Sequence, residues 1–216
     1  MRTIKKQITL SSRNRKLEHF YSLFKEGMSV LDAGVSSENM AEPLASNHFL
    51  KTFKYAPKYY TGLGIDNLGQ LGQLYPGKRF VEYLGGRFPF MDKEFDWVFS
   101  NAVIEHVGDD DAQVDFLNEM LRVAKNVFFT TPNKFFPVET HTDVLFLHYN
   151  NDLFHRWCRK RHPWVSKYDP YLFSHSRLGK LLNRSHAKTY RIYRNRFLGW
   201  PMTFTVVCTE TADSPI

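Results

Sequence analysis

Met28-Ser-Val-Leu-Asp32-Ala-Gly34 decides the fold, because it is a short apolar run that ends on an acid and a glycine. Such a run is typical of a buried parallel strand that leads into a tight turn. The pattern recurs in residues 59–66, which end on Asp66, and in residues 79–84, which precede a pair of glycines. Residues 95–100 and 126–131 predict a fourth and a fifth strand, and Pro132 ends the fifth.

Helical patterns lie between and around these runs. Residues 11–25 place apolar side chains at helical spacing, with Ser11 or Ser12 available as a cap, and residues 111–124 predict a crossover helix. Ser174 is expected to cap a helix over residues 177–182, and residues 187–193 and 202–208 predict two last strands. This alternation favours an α/β sheet with helices on both faces, which binds its ligand outside the carboxyl ends of the strands.

The composition narrows the class of protein. The 216 residues suit a single domain, and 43% hydrophobic content excludes disorder as a general description. No apolar run approaches the ~20 residues of a membrane-spanning helix, and the basic start lacks a following apolar segment. Cys158 and Cys208 are too few and too far apart for a disulfide framework or a zinc site. We therefore expect a soluble cytoplasmic protein with no metal.

The net charge of +7 is unevenly distributed along the chain. Residues 156–196 contain twelve Lys and Arg residues against a single acid, Asp169. This basic C-terminal face suits the phosphates of a substrate, a nucleic acid or an anionic membrane surface. Scattered charges that only keep the surface solvated are the alternative interpretation.

Asp32 and Gly34 form the first functional signal, because a glycine after a strand lets the backbone approach a ligand. A strand-to-loop turn alone would explain them. Asp66, at the end of the next strand, strengthens the functional interpretation, since an acid there accepts hydrogen bonds from the ribose hydroxyls of a nucleoside cofactor.

These residues resemble the class I S-adenosylmethionine-dependent methyltransferases, in particular the bacterial type-11 methyltransferase domains. The resemblance covers residues 28–148 and rests on four blocks. They are V-L-D-A-G at 30–34, L-G-I-D at 63–66, F-P-F-M-D-K-E-F-D-W-V-F-S-N-A-V-I-E-H-V at 88–107 and T-T-P-N-K-F-F-P-V-E-T-H-T at 130–142. It implies a single Rossmann-like, doubly wound domain over residues 1–216, with six parallel strands and one antiparallel strand. It also implies S-adenosylmethionine as cofactor and S-adenosylhomocysteine as product.

The resemblance also implies roles for particular residues. Asp32 and Gly34 match the motif that contacts the methionine part of the cofactor, and Asp66 matches the ribose-binding acid. Asn67 and Leu68 follow beside the adenine, and backbone at Asn101-Ala102 meets the methionine part. The expected cofactor residues are Asp32, Ala33, Gly34, Ser36, Asp66, Asn67, Leu68, Leu84, Gly85, Asn101 and Ala102.

Two positions depart from the family pattern. Ser36 stands where the family usually has a further glycine, and Leu84 stands where it usually has an acid that binds the adenine amino group. Leu84 can pack on the adenine but cannot accept that hydrogen bond, which is worth on the order of 1 kcal/mol. Weakened or lost cofactor binding is therefore one expectation.

His106, beside Glu105, is the candidate general base, because an imidazole with an ordinary pKa of ~6.5 suits proton transfer near neutral pH. An alternative is that Glu105-His106 opens a helix and shapes the cofactor pocket. His141, Phe136 and Tyr149 are the candidate acceptor-binding residues, within a basic and aromatic lid region at about 132–171.

Three functions remain open on the sequence. The first is methyl transfer to a small-molecule or glycan-like acceptor at oxygen, with the basic region binding an anionic group of the acceptor. The second is RNA methylation, although Ala102 occupies the first glutamate position of the E-x-x-E-H metal motif of small-RNA methyltransferases. The third is a degenerate methyltransferase fold that serves as a binding module. The oligomeric state is left open.

Overall fold

The computed structural model describes residues 2–37, 46–139, 142–161 and 170–210, with side chains from residue 7 onward. The strands are β1 (Val30–Ala33), β2 (Tyr60–Gly64), β3 (Arg79–Glu82), β4 (Phe95–Asn101), β5 (Ala124–Pro132), β6 (Thr189–Phe197) and β7 (Trp200–Thr209). The helices are α1 (Arg2–Leu23), α2 (His48–Thr52), α3 (Gly69–Leu74), α4 (Asp110–Val123), α5 (Asn151–Arg161) and α6 (His175–Arg184). Short 3₁₀ turns lie at Pro57–Tyr59, Ile104–His106 and Leu147–Tyr149.

All seven strands form one sheet in the order β3-β2-β1-β4-β5-β7-β6. The first five are parallel to one another, and β7 is antiparallel to both β5 and β6. Strand β6 therefore runs in the same direction as the first five strands. This confirms the predicted seven-stranded sheet with six parallel strands and one antiparallel strand.

The position of the functional site follows from the strand order. Strand β1 pairs with β2 on one side and with β4 on the other. After β2 the chain continues to β3 on one side of β1, and after β4 it continues to β5 on the other side. This reversal of direction opens a crevice beyond the carboxyl ends of β1 and β4. Ligands of doubly wound sheets bind at this switch point.

Helix α1 covers one face of the sheet and differs from its predicted bounds. The sequence predicted residues 11–25, whereas the helix spans Arg2–Leu23 and contains Ser12 as a buried residue. Serine favours the first position of a helix, but the preceding residues contain neither Gly nor Pro, so nothing prevents the helix from extending back past both serines. The Phe20 ring packs against Phe99 and Phe128, with ring centroids 5.0 and 5.3 Å apart. Helix α1 is thereby fixed over β4 and β5.

The opposite face carries α4 and α6. Leu117, Met120 and Val123 of α4 are fully buried in the same core cluster as Leu178 and Leu182 of α6. The predicted cap is confirmed, since the Ser174 hydroxyl accepts a hydrogen bond from the Arg177 N–H at 3.1 Å.

The predicted lid region, residues 132–171, is described in part. It contains the 3₁₀ turn at Leu147–Tyr149 and helix α5, whose buried Phe154 and Cys158 form a small core cluster of their own. Across the described residues, no helix has the length and apolar character needed to cross a bilayer.

Candidate functional site

A cavity of about 260 Å³ lies at the carboxyl ends of β1 and β4. Six of the residues predicted from the sequence to bind the cofactor line it: Asp32, Ala33, Gly34, Ser36, Asn101 and Ala102. The remaining lining residues come from α1, from α2 with the turn before it, and from β4 and the loop after it: Arg13, Leu17, Ser46, Asn47, His48, Phe49, Phe99 and Val103. The structure thus brings half of the predicted cofactor site together at the switch point of the sheet.

Asp32 is the buried acid of this cavity. The Tyr60 hydroxyl donates a hydrogen bond of 2.5 Å to Asp32 Oδ2. Burial raises the pKa of the Asp32 carboxyl to about 7, and the hydrogen bond from Tyr60 and the charge of Lys78 oppose that rise. A carboxylate held in this way gains most from a ligand that brings a positive charge or a strong hydrogen-bond donor.

Position 34 requires glycine because of its backbone conformation and the close approach of a neighbouring side chain. Its φ angle is +112°, and a Cβ atom at this position would lie 2.2 Å from Val103 Cγ2. Its N–H donates to the Leu63 carbonyl at 2.9 Å, which holds the turn against β2. No larger residue fits here without displacing the loop that follows β4.

The loop after β1 is held by three further hydrogen bonds, which involve the side chains of Asn47 and Asp66. Asn47, in the left-handed conformation at φ 53°, donates from Nδ2 to the Ser36 carbonyl at 2.7 Å and accepts from the Ser36 N–H at 3.1 Å. Asp66 Oδ2 accepts from the Ser37 N–H at 3.2 Å, which links the ends of β1 and β2. Ser36 therefore stabilises the loop mainly through its backbone, as the glycine usual in the family would also do.

Asn101 presents hydrogen-bond donors to the cavity. Its Oδ1 accepts from Lys16 Nζ at 3.0 Å and from the Thr130 hydroxyl at 2.9 Å. Since these two donors occupy the carboxamide oxygen, the group that Asn101 can offer to a ligand is its Nδ2 amide.

Lys16, which donates to the cavity residue Asn101, is a residue that the sequence interpretation missed. It is buried on α1, four residues before Phe20, so it lies on the face of the helix that packs on the sheet. Burial and the nearby Arg13 lower the pKa of the Lys16 amine to about 8, while the charge of Glu105 acts in the opposite direction. A lysine on an otherwise apolar helical stripe is the sequence signal that would have identified it.

Glu105 and His106 lie on the 3₁₀ turn after β4, next to the cavity but not among its lining residues. Glu105 is fully buried, and its Oε2 accepts from the Thr131 hydroxyl at 3.0 Å. Its carbonyl accepts from the Tyr171 N–H at 2.8 Å, so this residue joins the turn to the end of the lid region. His106 is half-buried, and its N–H donates to the carbonyl of the cavity residue Val103.

The other five predicted cofactor residues lie at the ends of β2 and β3, outside the cavity. Asp66 is half-buried, Asn67 accepts from the Gly69 N–H, and the buried Leu68 donates its N–H to Glu82 Oε1 at 2.7 Å. The Leu84 side chain is fully exposed, and Gly85 follows it at φ +91°.

Two of the three predicted acceptor residues are described, and His141 lies outside the described residues. The Phe136 carbonyl is 2.9 Å from the ring Nε2 of the buried His148. The Tyr149 hydroxyl donates to the Phe135 carbonyl at 3.0 Å, and its ring contacts Phe135 and Phe146 edge-on. Both predicted residues thus help to order the chain that follows β5. No grouping of three or more metal-ligating side chains occurs within the described part of the chain.

Two arginines of the basic C-terminal face form ion pairs with acids of α4. Arg177 forms an ion pair with Asp110 and donates to Gln113 Oε1 at 2.7 Å. Arg184 forms an ion pair with Asp111 at 2.5 Å. These two arginines link α6 to the start of α4, so part of the excess positive charge stabilises the fold.

Comparisons with known proteins agree with this geometry. Residues 31–127 match the family model of a methyltransferase domain. No curated protein gives a significant match.

Among solved structures, an S-adenosylmethionine-dependent methyltransferase from Methanosarcina mazei has a TM-score of 0.55 at 15% identity, with 88% of this chain and 96% of that chain covered. One from Thermotoga maritima has a TM-score of 0.57 at 14% identity, with 96% and 92% covered. Phosphoethanolamine N-methyltransferase 2 of Haemonchus contortus, in complex with phosphomonomethylethanolamine and S-adenosylhomocysteine, has a TM-score of 0.54 at 16% identity, with 84% and 38% covered.

The cofactor predicted from the sequence agrees with these relatives. The matched range includes Asp32, Gly34, Asp66 and Asn101, and the similar structures share the overall fold. The chain has the fold of the class I S-adenosylmethionine-dependent methyltransferases, and residues 31–127 match the family model of a methyltransferase domain.

Proposed function

We propose that this chain transfers the methyl group of S-adenosylmethionine to an oxygen of a small-molecule or glycan-like acceptor. The observation that carries the proposal is the cavity at the switch point, where Asp32, Gly34 and Asn101 converge from two neighbouring strands. Methyl transfer needs the methyl donor to be held in line with the acceptor, and a preformed cavity of this kind supplies such positioning.

The residues present fit the cofactor. Asp32 offers a buried carboxylate, Asn101 offers amide donors, and Gly34 allows the backbone to approach without a side chain. Asp66, at the next strand end, remains the proposed ribose-binding acid. When bound, the cofactor supplies an activated methyl group on a sulfonium; the protein has to orient the acceptor and remove its proton.

His106 is the proposed base. It lies on the turn that follows the cavity residue Val103, it is half-buried, and its N–H donates to the Val103 carbonyl, which keeps it next to the cavity. Glu105, anchored by Thr131, holds this turn in place and is better suited to positioning than to proton transfer. For the acceptor, Phe136, Tyr149 and His141 remain proposed contacts.

The cytoplasm remains the proposed location. Cys158 and Cys208 are buried and form no disulfide, which suits a reducing compartment.

An isotopically labelled methyl group tests the reaction. The purified protein is incubated with methyl-labelled S-adenosylmethionine and separate panels of sugars, small hydroxyl compounds and RNA, and the chemical shift of the transferred methyl identifies the atom that receives it. The proposal expects oxygen-bound methyl on a sugar or small hydroxyl compound, and at least a hundredfold slower transfer by His106→Gln. Transfer to RNA alone, or transfer to nitrogen or carbon, would contradict it.

A further inference from the structure

Large apolar side chains are exposed in three segments at the carboxyl edge of the sheet. Their exposed fractions lie between 49% and 84%. We call this set the apolar edge; it consists of Phe135, Leu145, Phe146, Leu153, Leu198 and Trp200. Exposed apolar side chains that cluster in this way mark interaction sites more often than single exposed ones do.

Specific contacts hold the chain that follows β5 beside the β6–β7 turn, and Lys134 Nζ donates to Asn151 Oδ1 at 2.9 Å, which holds the start of α5 against the same chain. Asn133 donates from its backbone to the Met202 carbonyl at 2.9 Å and from Nδ2 to the Pro201 carbonyl at 2.7 Å. This places the β6–β7 turn, with Leu198 and Trp200, next to the chain that leads to Phe135. The Tyr149 ring lies 5.5 Å from the Phe135 ring and 5.7 Å from the Phe146 ring, so these two exposed rings share one support.

Positive charge borders the apolar edge. Helix α5 exposes Arg156, Arg159, Lys160 and Arg161, and within the described residues no carboxylate forms an ion pair with any of them. Leu153, Arg156 and Lys160 are spaced three and four residues apart and share one face of this helix. The Arg196 guanidinium donates to the Gly199 carbonyl at 2.7 Å, which puts a further charge at the β6–β7 turn.

We propose that the apolar edge and the basic residues of α5 bind the surface of a lipid bilayer that contains anionic phospholipids. Phe, Leu and Trp side chains enter the interface between headgroups and acyl chains, while Arg and Lys bind the phosphates. A nucleic acid would bind the basic side chains of α5 but would leave the exposed leucines without a partner. A second copy of the chain would bring two clusters of four positively charged side chains toward each other, which charge repulsion disfavours.

The proposed surface lies at the same edge of the sheet as the cavity. Strands β4, β5 and β6 are parallel, so Asn101, Pro132 and Phe197 end them at one edge. A bilayer bound there would face the side from which ligands enter the crevice. This proposal does not depend on methyl transfer, since it concerns adsorption of the protein alone.

Vesicle sedimentation of the full chain tests the proposal. Vesicles of phosphatidylcholine alone are compared with vesicles of phosphatidylcholine and phosphatidylglycerol, at low and at high salt. We expect at least tenfold stronger binding to the anionic vesicles, weakened by salt because surface charges are screened.

Two variants separate the apolar and the charged contributions. Leu198→Ser/Trp200→Ser should weaken binding at least tenfold, because it removes the side chains that enter the interface. Arg159→Gln/Lys160→Gln should weaken it about 25-fold, at about fivefold for each charge near an anionic surface. Met91→Ser, an exposed apolar residue before β4 at the opposite edge, and Lys188→Gln, an exposed base before β6, are the matched controls and should bind like the wild type.

Thermal melts confirm that each variant is folded, and the exposed positions make this the expected result. Wild-type binding that is absent, or equal on both vesicle types, would overturn the proposal. So would variants that bind as well as their controls. Light scattering that shows a stable dimer broken by Leu198→Ser/Trp200→Ser would assign the apolar edge to a second copy instead. RNA binding lost in Arg159→Gln/Lys160→Gln, without any vesicle binding, would assign the charges to nucleic acid.

Discussion

Replacement of Asp32 by Asn should remove a large pH dependence of stability in the ligand-free protein. Burial raises the pKa of the Asp32 carboxyl from 3.8 to about 7. Between these values the folded state keeps its proton while the unfolded state has lost it. The folded state then binds more protons, so the free energy of unfolding falls as the pH rises. A pKa increase of about 3, at ~1.36 kcal/mol each, corresponds to ~4 kcal/mol lost between about pH 4 and pH 7.

Urea denaturation at about pH 5 and about pH 8 measures this effect. Only the part of the loss above pH 5 is sampled, so the wild type should lose on the order of 3 kcal/mol relative to Asp32→Asn over this interval. Reading the difference between the two proteins cancels the titration of groups that both share. Tyr60→Phe provides a second check, because it removes a hydrogen bond that lowers the pKa of Asp32 and should move the transition to higher pH.

A difference between wild type and Asp32→Asn that stays constant within ~1 kcal/mol from about pH 5 to pH 8 would refute this reasoning. Asp32 would then not be buried as a protonated acid. A constant offset alone is acceptable, because the amide changes the local hydrogen bonds at every pH. The same ionisation should govern ligand binding, since a cationic group gains from Asp32 only in the charged form. Affinity for such a ligand is expected to fall as the pH drops below about 7.

Three further substitutions test the site. Leu84→Asp should raise the affinity for S-adenosylhomocysteine about fivefold, because it supplies a hydrogen-bond acceptor worth on the order of 1 kcal/mol. It should leave the stability of the protein unchanged, because position 84 is exposed. Titration calorimetry and a thermal melt check these two expectations, and unchanged affinity would place the adenine elsewhere. Gly34→Ala should lower the free energy of unfolding by about 1–3 kcal/mol through its clash with Val103 and its positive φ. Gly34→Ala/Val103→Ala should recover part of this loss, and a single variant as stable as the wild type would show that the turn is looser than described. Thr131→Val should cost about 1.5–3 kcal/mol by taking a hydrogen bond from the buried Glu105 carboxylate, and urea denaturation with no measurable change would mean that Glu105 does not depend on this contact.

The sheet was predictable because the strands have recognisable local sequence patterns. Residues 28–34, 59–66 and 95–100 are short apolar runs closed by acids, glycines or polar residues, and their order along the chain alternates with helical patterns. The length of α1 was not predictable in this way. Its first ten residues lack a strong apolar stripe, and the serines at 11 and 12 resemble a helix start although they lie inside the helix.

Site residues were predictable from the sequence only where a local sequence pattern marks them. Asp32 and Asn101 lie at the carboxyl ends of β1 and β4, Gly34 directly follows β1, and the structure brings the three to one cavity. Lys16 could not be placed beside Asn101, because 85 residues separate them along the chain and only the packing of α1 joins them. The bond between Tyr60 and Asp32 depends likewise on the pairing of β1 with β2.

Calorimetric titration with S-adenosylhomocysteine tests the central claim most directly, with the wild type and Asp66→Ala measured side by side. We expect micromolar or tighter binding to the wild type and none to the variant, in samples that melt normally. A well-folded wild type that binds nothing up to millimolar ligand would contradict it, and so would an Asp66→Ala variant that binds as tightly as the wild type.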